Sequence, residues 1–218
     1  MRVQIARRPD IPAPVRRTEF ITISGRDGTL VMSDGAYDDI DIPIEMNFLI
    51  SDESWGNRFR KTKQWLLSGG KKLILSDDAS VFYRVKDVRI EDMERTVRRS
   101  GQFTCHFICE PHTYIVGGQR EYKIEDVRFN PYLLCKPIYK FTGEGMCTLT
   151  VNGKSMKANV GQNLTVDTEM MLAYRSDGTL NNTEVMGDYE DLYLQSGENS
   201  IYVTGGFNLK IIPNWRCL

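Results

Sequence analysis

The sequence predicts a mainly β protein in two parts, and three observations carry that prediction. One amphipathic helix pattern stands among strand patterns up to about Asn130. Beyond it the chain reads as short strands and turns alone, at the spacing of a β-sandwich. The stretch Leu192-Tyr-Leu-Gln-Ser-Gly-Glu-Asn-Ser-Ile-Tyr-Val203 reads as a turn between alternating strands, with no cluster of acids, bases or thiols beside it. Such a chain reads as built for assembly rather than for catalysis. Its 218 residues allow two domains, each with a core of its own, and we place them at residues 1–130 and 131–218.

The elements follow in order. Phe20-Ile-Thr-Ile-Ser24 is a short strand, and the Asp-Gly of Arg26-Asp-Gly-Thr29 favours a tight hairpin turn. From Ile40 to Ile50 every even position is apolar, the period of two that buries one sheet face. Pro43 has no N–H for a ladder, which places at least the first half of this strand at a sheet edge or in a projecting hairpin. Ser54 suits a helix N-cap, and Trp55, Phe59, Thr62 and Leu66 fall on one helical face before Gly69-Gly70. That stripe reads as core, packing the helix on a sheet. Strands are expected at Lys72–Leu75, Val81–Val85 and Gly101–Cys109, with the charged run Glu91–Arg99 as a solvated turn or hairpin tip. The pattern loosens past Pro111, and Asn130-Pro131 with Pro137 marks the domain boundary. Met146–Val151 then runs into Asn152-Gly153, a hairpin signal, and Asn163–Asp167, Met171–Tyr174, Asp191–Leu194, Ile201–Val203 and Leu209–Ile212 complete the strands.

Charge excludes a nucleic-acid clamp. Residues 1–130 carry 21 basic and 20 acidic side chains and residues 131–218 carry 7 and 9, whereas gripping phosphates takes several uncompensated cations. The local excess of Arg2, Arg7, Arg8, Arg16 and Arg17 over Asp10 reads as a solvated terminus straightened by Pro9, Pro12 and Pro14. No apolar run reaches the length of a membrane span, and the first residues lack a secretory apolar stretch, so a soluble protein made in the cytoplasm is expected. Five cysteines without a disulfide-scaffold spacing fit a reducing compartment.

The candidates for chemistry are few. Cys105, His106, Cys109 and His112 bring thiols and imidazoles within eight residues, the donor types that zinc takes. On a strand, however, Phe103, Cys105, Phe107 and Cys109 share one face and His106 points the other way, so the cysteines read as small core residues. Asp38, Asp39 and Asp41 lack the glycine and distal glutamate of a hand-type calcium loop and read as turn carboxylates. With His106 and His112 in one segment, no nucleophile and base pair is recommended, and no pair of carboxylates stands out. Asn163-Leu-Thr165 and Asn181-Asn-Thr183 fit the glycosylation triplet but read as turns. No catalytic residue, metal site or cofactor is assigned.

The order of landmarks resembles the distal tail proteins of siphophages, the Dit family. The matching stretches are Ile23-Ser-Gly-Arg-Asp-Gly-Thr-Leu30 before a Tyr37-bearing loop and the long alternating strand, and the helix ending Gln64-Trp-Leu-Leu67. They continue with Ser100-Gly-Gln-Phe-Thr-Cys-His-Phe-Ile-Cys-Glu-Pro111, Asn130-Pro131, Thr165-Val-Asp-Thr168, Leu194-Gln-Ser-Gly-Glu-Asn199 and Ile212-Pro-Asn-Trp215. The likeness covers nearly the whole chain and lies in order and spacing. It implies an N-terminal β-sandwich-type domain with one α-helix and a projecting hairpin, which closes into a hexameric ring, and a C-terminal galectin-like β-sandwich. It further implies a hub at the virion's tail tip, in one ring or two stacked rings, that joins the tail tube protein to the tail-tip (tail-associated) protein and the receptor-binding protein. DNA leaves through the centre without specific binding. The short loops leave no room for the carbohydrate-binding module that longer members carry, so the chain looks like the minimal form. Its Pro-rich start departs from the family pattern.

Near-neutral charge suits a conduit that must not hold a moving polyanion. A closed ring needs head-to-tail contacts, and the Pro43 edge strand and the charged hairpin are available to make them. The rival from another class is a carbohydrate-binding β-sandwich for adhesion, stacking Tyr189, Tyr193, Tyr202 or Trp215 on sugars. Trp215 follows an alternating strand, which favours a core position for it.

Overall fold

In a computed structural model that describes residues 3–50, 53–94 and 99–218, the alternation from Ile40 to Ile50 is a strand whose even-numbered residues are buried one after another. Ile42, Ile44 and Phe48 are almost wholly enclosed, each contributing about 1.5–3 kcal/mol of apolar burial. The chain divides into two compact units: the described residues of Met1–Ser76 and Phe82–Thr113 with Leu218, and Asp77–Val81 with Tyr114–Cys217. The change from one to the other falls at Thr113–Tyr114, upstream of Asn130-Pro131. Asn130 is buried inside the second unit, where its Nδ2 donates to the Leu133 and Gln195 carbonyls at 2.8 and 3.1 Å.

The first unit begins with β1 (Val3–Ile5), the hairpin of β2 (Glu19–Thr22) and β3 (Thr29–Met32), and β4 (Ile40–Leu49). Helix α1 (Trp55–Leu67), β5 (Lys72–Leu75), β6 (Asp78–Ile90) and β7 (Ser100–Ile115) follow, the first four residues of β6 and the last two of β7 being counted with the second unit. The strands β1-β4-β7-β6-β5 hydrogen-bond in that order, while β2 and β3 form a separate two-stranded sheet. β1 pairs Met46–Phe48 of β4 and the Ala6 N–H donates to the Glu45 carbonyl, so the half that contains Pro43 has β7 on one flank and no paired strand on the other, as the missing N–H requires. Helix α1 starts where Ser54 Oγ accepts from the Asn57 N–H at 3.3 Å, and it buries Thr62 and Leu66. Gly101 is demanded by close approach, because a Cβ there would sit 2.6 Å from the ring of Phe48, its partner in the ladder.

The second unit is organised by one long hairpin. After β8 (Phe129–Asn130), β9 (Ile138–Val151) and β10 (Lys154–Asp167) pair along their full length across Asn152-Gly153, both with positive φ. Strand β11 (Leu172–Tyr174) and the two-residue β12 (Val185–Met186) flank β10. Beyond β13 (Gly197–Glu198), which pairs β8, β14 (Ile201–Val203) and β15 (Asn208–Ile212) flank β9. β16 (Arg216–Cys217) ends the set. The core gathers Tyr139, Phe141, Leu149, Met156, Leu164 and Ile211 with their neighbours.

The fold class read from the sequence holds: mainly β, with one α-helix among the described residues and curled sheets of the sandwich type. Several boundaries differ. The strands β6, β7, β9 and β10 are longer than predicted, and in β9 and β10 the ladder runs on through Gly143, Gly145 and Gly161 without a break. Asp191–Leu194 is not a strand. A 3-10 turn covers Tyr189–Leu192, and Leu194 then bridges Cys135, so the alternation of Leu192 and Leu194 reflects two buried side chains on an irregular segment. Arg2 and residues 95–98 of the charged run lie outside the described residues. Among the described residues no helix is long and apolar enough to cross a membrane.

Candidate functional site: an assembly surface

Each residue singled out for chemistry has a structural partner. Cys105 and Cys109 are wholly buried on the core side of β7, and burial pushes both thiols up to about 12, as expected of small core residues. His106 lies on the opposite face between Asp41 and Glu91, and His112 meets the ring of Tyr37 edge-on at 6.2 Å. Among the described residues no group of three or more His, Cys, Asp or Glu is arranged to hold a metal. The three aspartates diverge as well: Asp38 accepts from Arg17 Nε at 3.2 Å, Asp39 pairs Lys86 at 2.7 Å and Asp41 faces His106. In the two triplets, Asn163 Oδ1 caps the Ser176 N–H and the Asn181 N–H donates to Ala173, which are turn-forming roles.

The aromatic residues weighed for sugar stacking have unlike surroundings. Trp215 packs against the rings of Tyr122 and Tyr132 at 5.2 and 5.8 Å beside the core. Tyr189 also lies against that core, and Lys136 Nζ sits over Tyr193. Only Tyr202, on β14, is well exposed among the four, so no paired stacking platform is assembled from them.

Two of the N-terminal arginines are answered by acids. Arg7 contacts Asp10 at 3.2 Å and Glu45 at 3.8 Å, and Arg17 contacts Asp38 and Asp34. Exposed pairs of this kind contribute little stability, but they compensate the charge of Arg7 and Arg17.

What the described surface does present is apolar. In the β2–β3 ribbon Phe20 stands directly opposite Val31, and these two are 65% and 55% exposed. Leu30 and Met32 are exposed on the ribbon's other face, and Ile23 is exposed just past β2. A two-stranded ribbon is marginal in water by itself, and exposed apolar side chains on both of its faces mark a place that another surface covers. The Asp-Gly turn disclosed the hairpin from sequence, whereas strand β3 went unread, although Leu30-Val31-Met32 behind that turn was its signal. The open flank of β4 adds backbone donors and acceptors without a strand beside them.

Fold and surface together define a mainly β, two-unit protein whose notable surface features are unpaired strand margins and an apolar ribbon. In solved structures the same fold occurs in the Dit protein of phage SPP1, described as a paradigm of the hub adsorption apparatus in phages that infect Gram-positive bacteria. The likeness spans 96% of this chain and 90% of that one at a TM-score of 0.56, with 13% sequence identity. No protein-family model matches the chain, and no curated protein matches it by sequence.

Proposed function

We propose that the chain is a structural hub of a siphophage tail tip. Six copies close into a ring, single or stacked in two, that joins the tail tube protein to the tail-tip and receptor-binding proteins, with DNA passing through the centre of the virion's tail. The carrying observation is the set of exposed apolar side chains on the β2–β3 ribbon, a surface that an assembling protein covers and a solitary one has no reason to keep. The fold shared with the SPP1 hub protein over nearly all of both chains supports the same reading. So does the even balance of charge, since a conduit lined with uncompensated cations would hold the polyanion it must release. The ring uses heterologous contacts, in which the ribbon of one copy meets a different patch on the next. The first unit supplies this ring, and the second unit, galectin-like in this reading, faces the remaining tail proteins. The minimal form follows from short connections in the second unit, and no catalytic step belongs to the role.

Negative-stain imaging and mass photometry of the purified chain test this directly. Particles with six-fold symmetry and an open centre, at six or twelve times the 25.0 kDa chain mass, are the expected result. A strictly monomeric protein at every concentration, or glycan binding by the monomer, would overturn it.

A further inference from the structure

The outer face of the first unit's sheet holds a three-membered cluster that none of the roles above uses. His106 projects from β7 between two carboxylates on its two neighbours. Its Nδ1 lies 2.9 Å from both oxygens of Asp41 on β4, and its Nε2 lies 3.0 Å from Glu91 Oε1, one residue past β6. A carboxylate only accepts, and a neutral imidazole carries a single N–H, so two such contacts at these distances require the doubly protonated ring. The cation thereby ties β4, β7 and the end of β6 together.

We propose that Asp41, His106 and Glu91 form a proton-operated latch where the β6–β7 hairpin enters its connecting turn. Loss of the Nε2 proton opens it on the Glu91 side. Asp41 keeps the remaining Nδ1–H because it presents both oxygens to that nitrogen, whereas Glu91 offers one oxygen on a longer and more exposed side chain. Once Nε2 becomes a lone pair, it faces the carboxylate at 3.0 Å and repels it. Glu91 then retains the hydrogen bond of the Thr104 side chain. The Glu91 and Glu94 N–H groups still donate to the Thr104 and Gln102 carbonyls. Glu91 lines a cavity of about 260 Å³ together with Glu45, Asp92 and Glu94, and once the ring's charge is lost these like charges favour its moving outward.

The neighbouring charges are engaged elsewhere. Lys86 on β6 is on Asp39, Arg84 on β6 lies 3.8 Å from Glu110 on β7, and Arg7 lies 3.8 Å from Glu45 on β4. Burial alone would lower the His106 pKa, but its hydrogen bonds to Glu91 and Asp41 and their charges outweigh that and hold it above the usual 6.5. The hydrogen bond from His106 in turn lowers Glu91 below the usual 4.5. A raised histidine contributes stability below its unfolded pKa and loses it as pH rises through the folded value. A lowered glutamate contributes above its unfolded pKa and loses that contribution on acidification. The latch is therefore fully closed between about 4.5 and 6.5 and opens on the alkaline side of that window.

The chain has two histidines, so nitrogen-15 NMR of the native protein resolves both, with His112→Gln assigning them. We expect His106 to titrate above 6.5, to show both ring nitrogens protonated at pH 6, and to pass to the Nδ1–H tautomer. Asp41→Asn and Glu91→Gln should each bring its midpoint down, and amide exchange protection at Glu91 and Glu94 should fall as the ring deprotonates. A midpoint at or below 6.5, a midpoint unmoved by both variants, or an Nε2–H tautomer at high pH would overturn the latch. The tautomer and midpoint are read in the folded native chain, so the test stands even where a variant folds poorly.

Discussion

At the scale of single residues, the second unit relies on buried asparagines where its backbone leaves the sheet. Asn199 is 4% exposed; its Oδ1 accepts from the Gln195 N–H and from Asn152, and its Nδ2 donates to the Gln195 and Gly197 carbonyls. Asn130 does the same for the turn after β8, and Asn214 bridges the Lys136 carbonyl and Gln119. An amide carries two donors and an acceptor on one rigid plane, which closes a turn that has no ladder to satisfy it. Removing it strands buried groups. Asn199→Ala is expected to cost about 1–3 kcal/mol, read as a shift in the denaturant midpoint, while the exposed Asn159→Ala should stay within about 0.5 kcal/mol. Equal losses at the two sites would contradict this role. None of the three asparagines could be ranked from sequence, where Asn130 read as part of a linker because Asn-Pro is a common turn signal. Its burial comes from a loop, Leu194–Asn199, far away in the chain.

At the scale of elements, the β9–β10 hairpin organises the second unit, and its register is set at the turn. Gly153 has φ +83° and open space around the position of a Cβ, so a substitution there meets backbone strain and no steric contact. Gly153→Ala is expected to destabilise the protein by about 1–2 kcal/mol, without changing the strand content seen by circular dichroism. An unchanged melting temperature would show that the turn relaxes. The Asn-Gly pair was legible because its chemistry is local. The lengths of β9 and β10 were not, since glycines at 143, 145 and 161 punctuate the sequence in the same way whether they end a strand or bend it. The helix was legible in full, from the Ser54 cap to its apolar stripe, because capping and the 3.6-residue period are both contained in the segment.

At the scale of the whole molecule, the apolar ribbon predicts how assembly fails. Phe20 and Val31 face each other across β2 and β3 and both lie in solvent within one chain, so replacing them should leave the chain folded. The double variant Phe20→Asp, Val31→Asp is expected to run as a monomer with the native circular dichroism spectrum. Carboxylates buried at a ring contact without partners would each cost several kcal/mol, more than such a contact can absorb. Rings that persist in this variant would move the contact away from the ribbon. The rival reading as a glycan binder fares differently at this scale: Trp215 and Tyr189 are spent on the core, and Tyr202 stands exposed without the other three.

The sequence by itself determined the class of the protein: a period of two over Ile40–Ile50, one capped helix, an Asn-Gly hairpin, an even balance of charge, and the core positions of Cys105 and Cys109. All of these depend on neighbours along the chain or on composition. Only the tertiary structure decided which apolar side chains stay uncovered, where one unit gives way to the next, and that His106 lies between Asp41 and Glu91. Those depend on groups brought together from distant strands, and the alternation of a strand says which residues share a face without saying what that face meets.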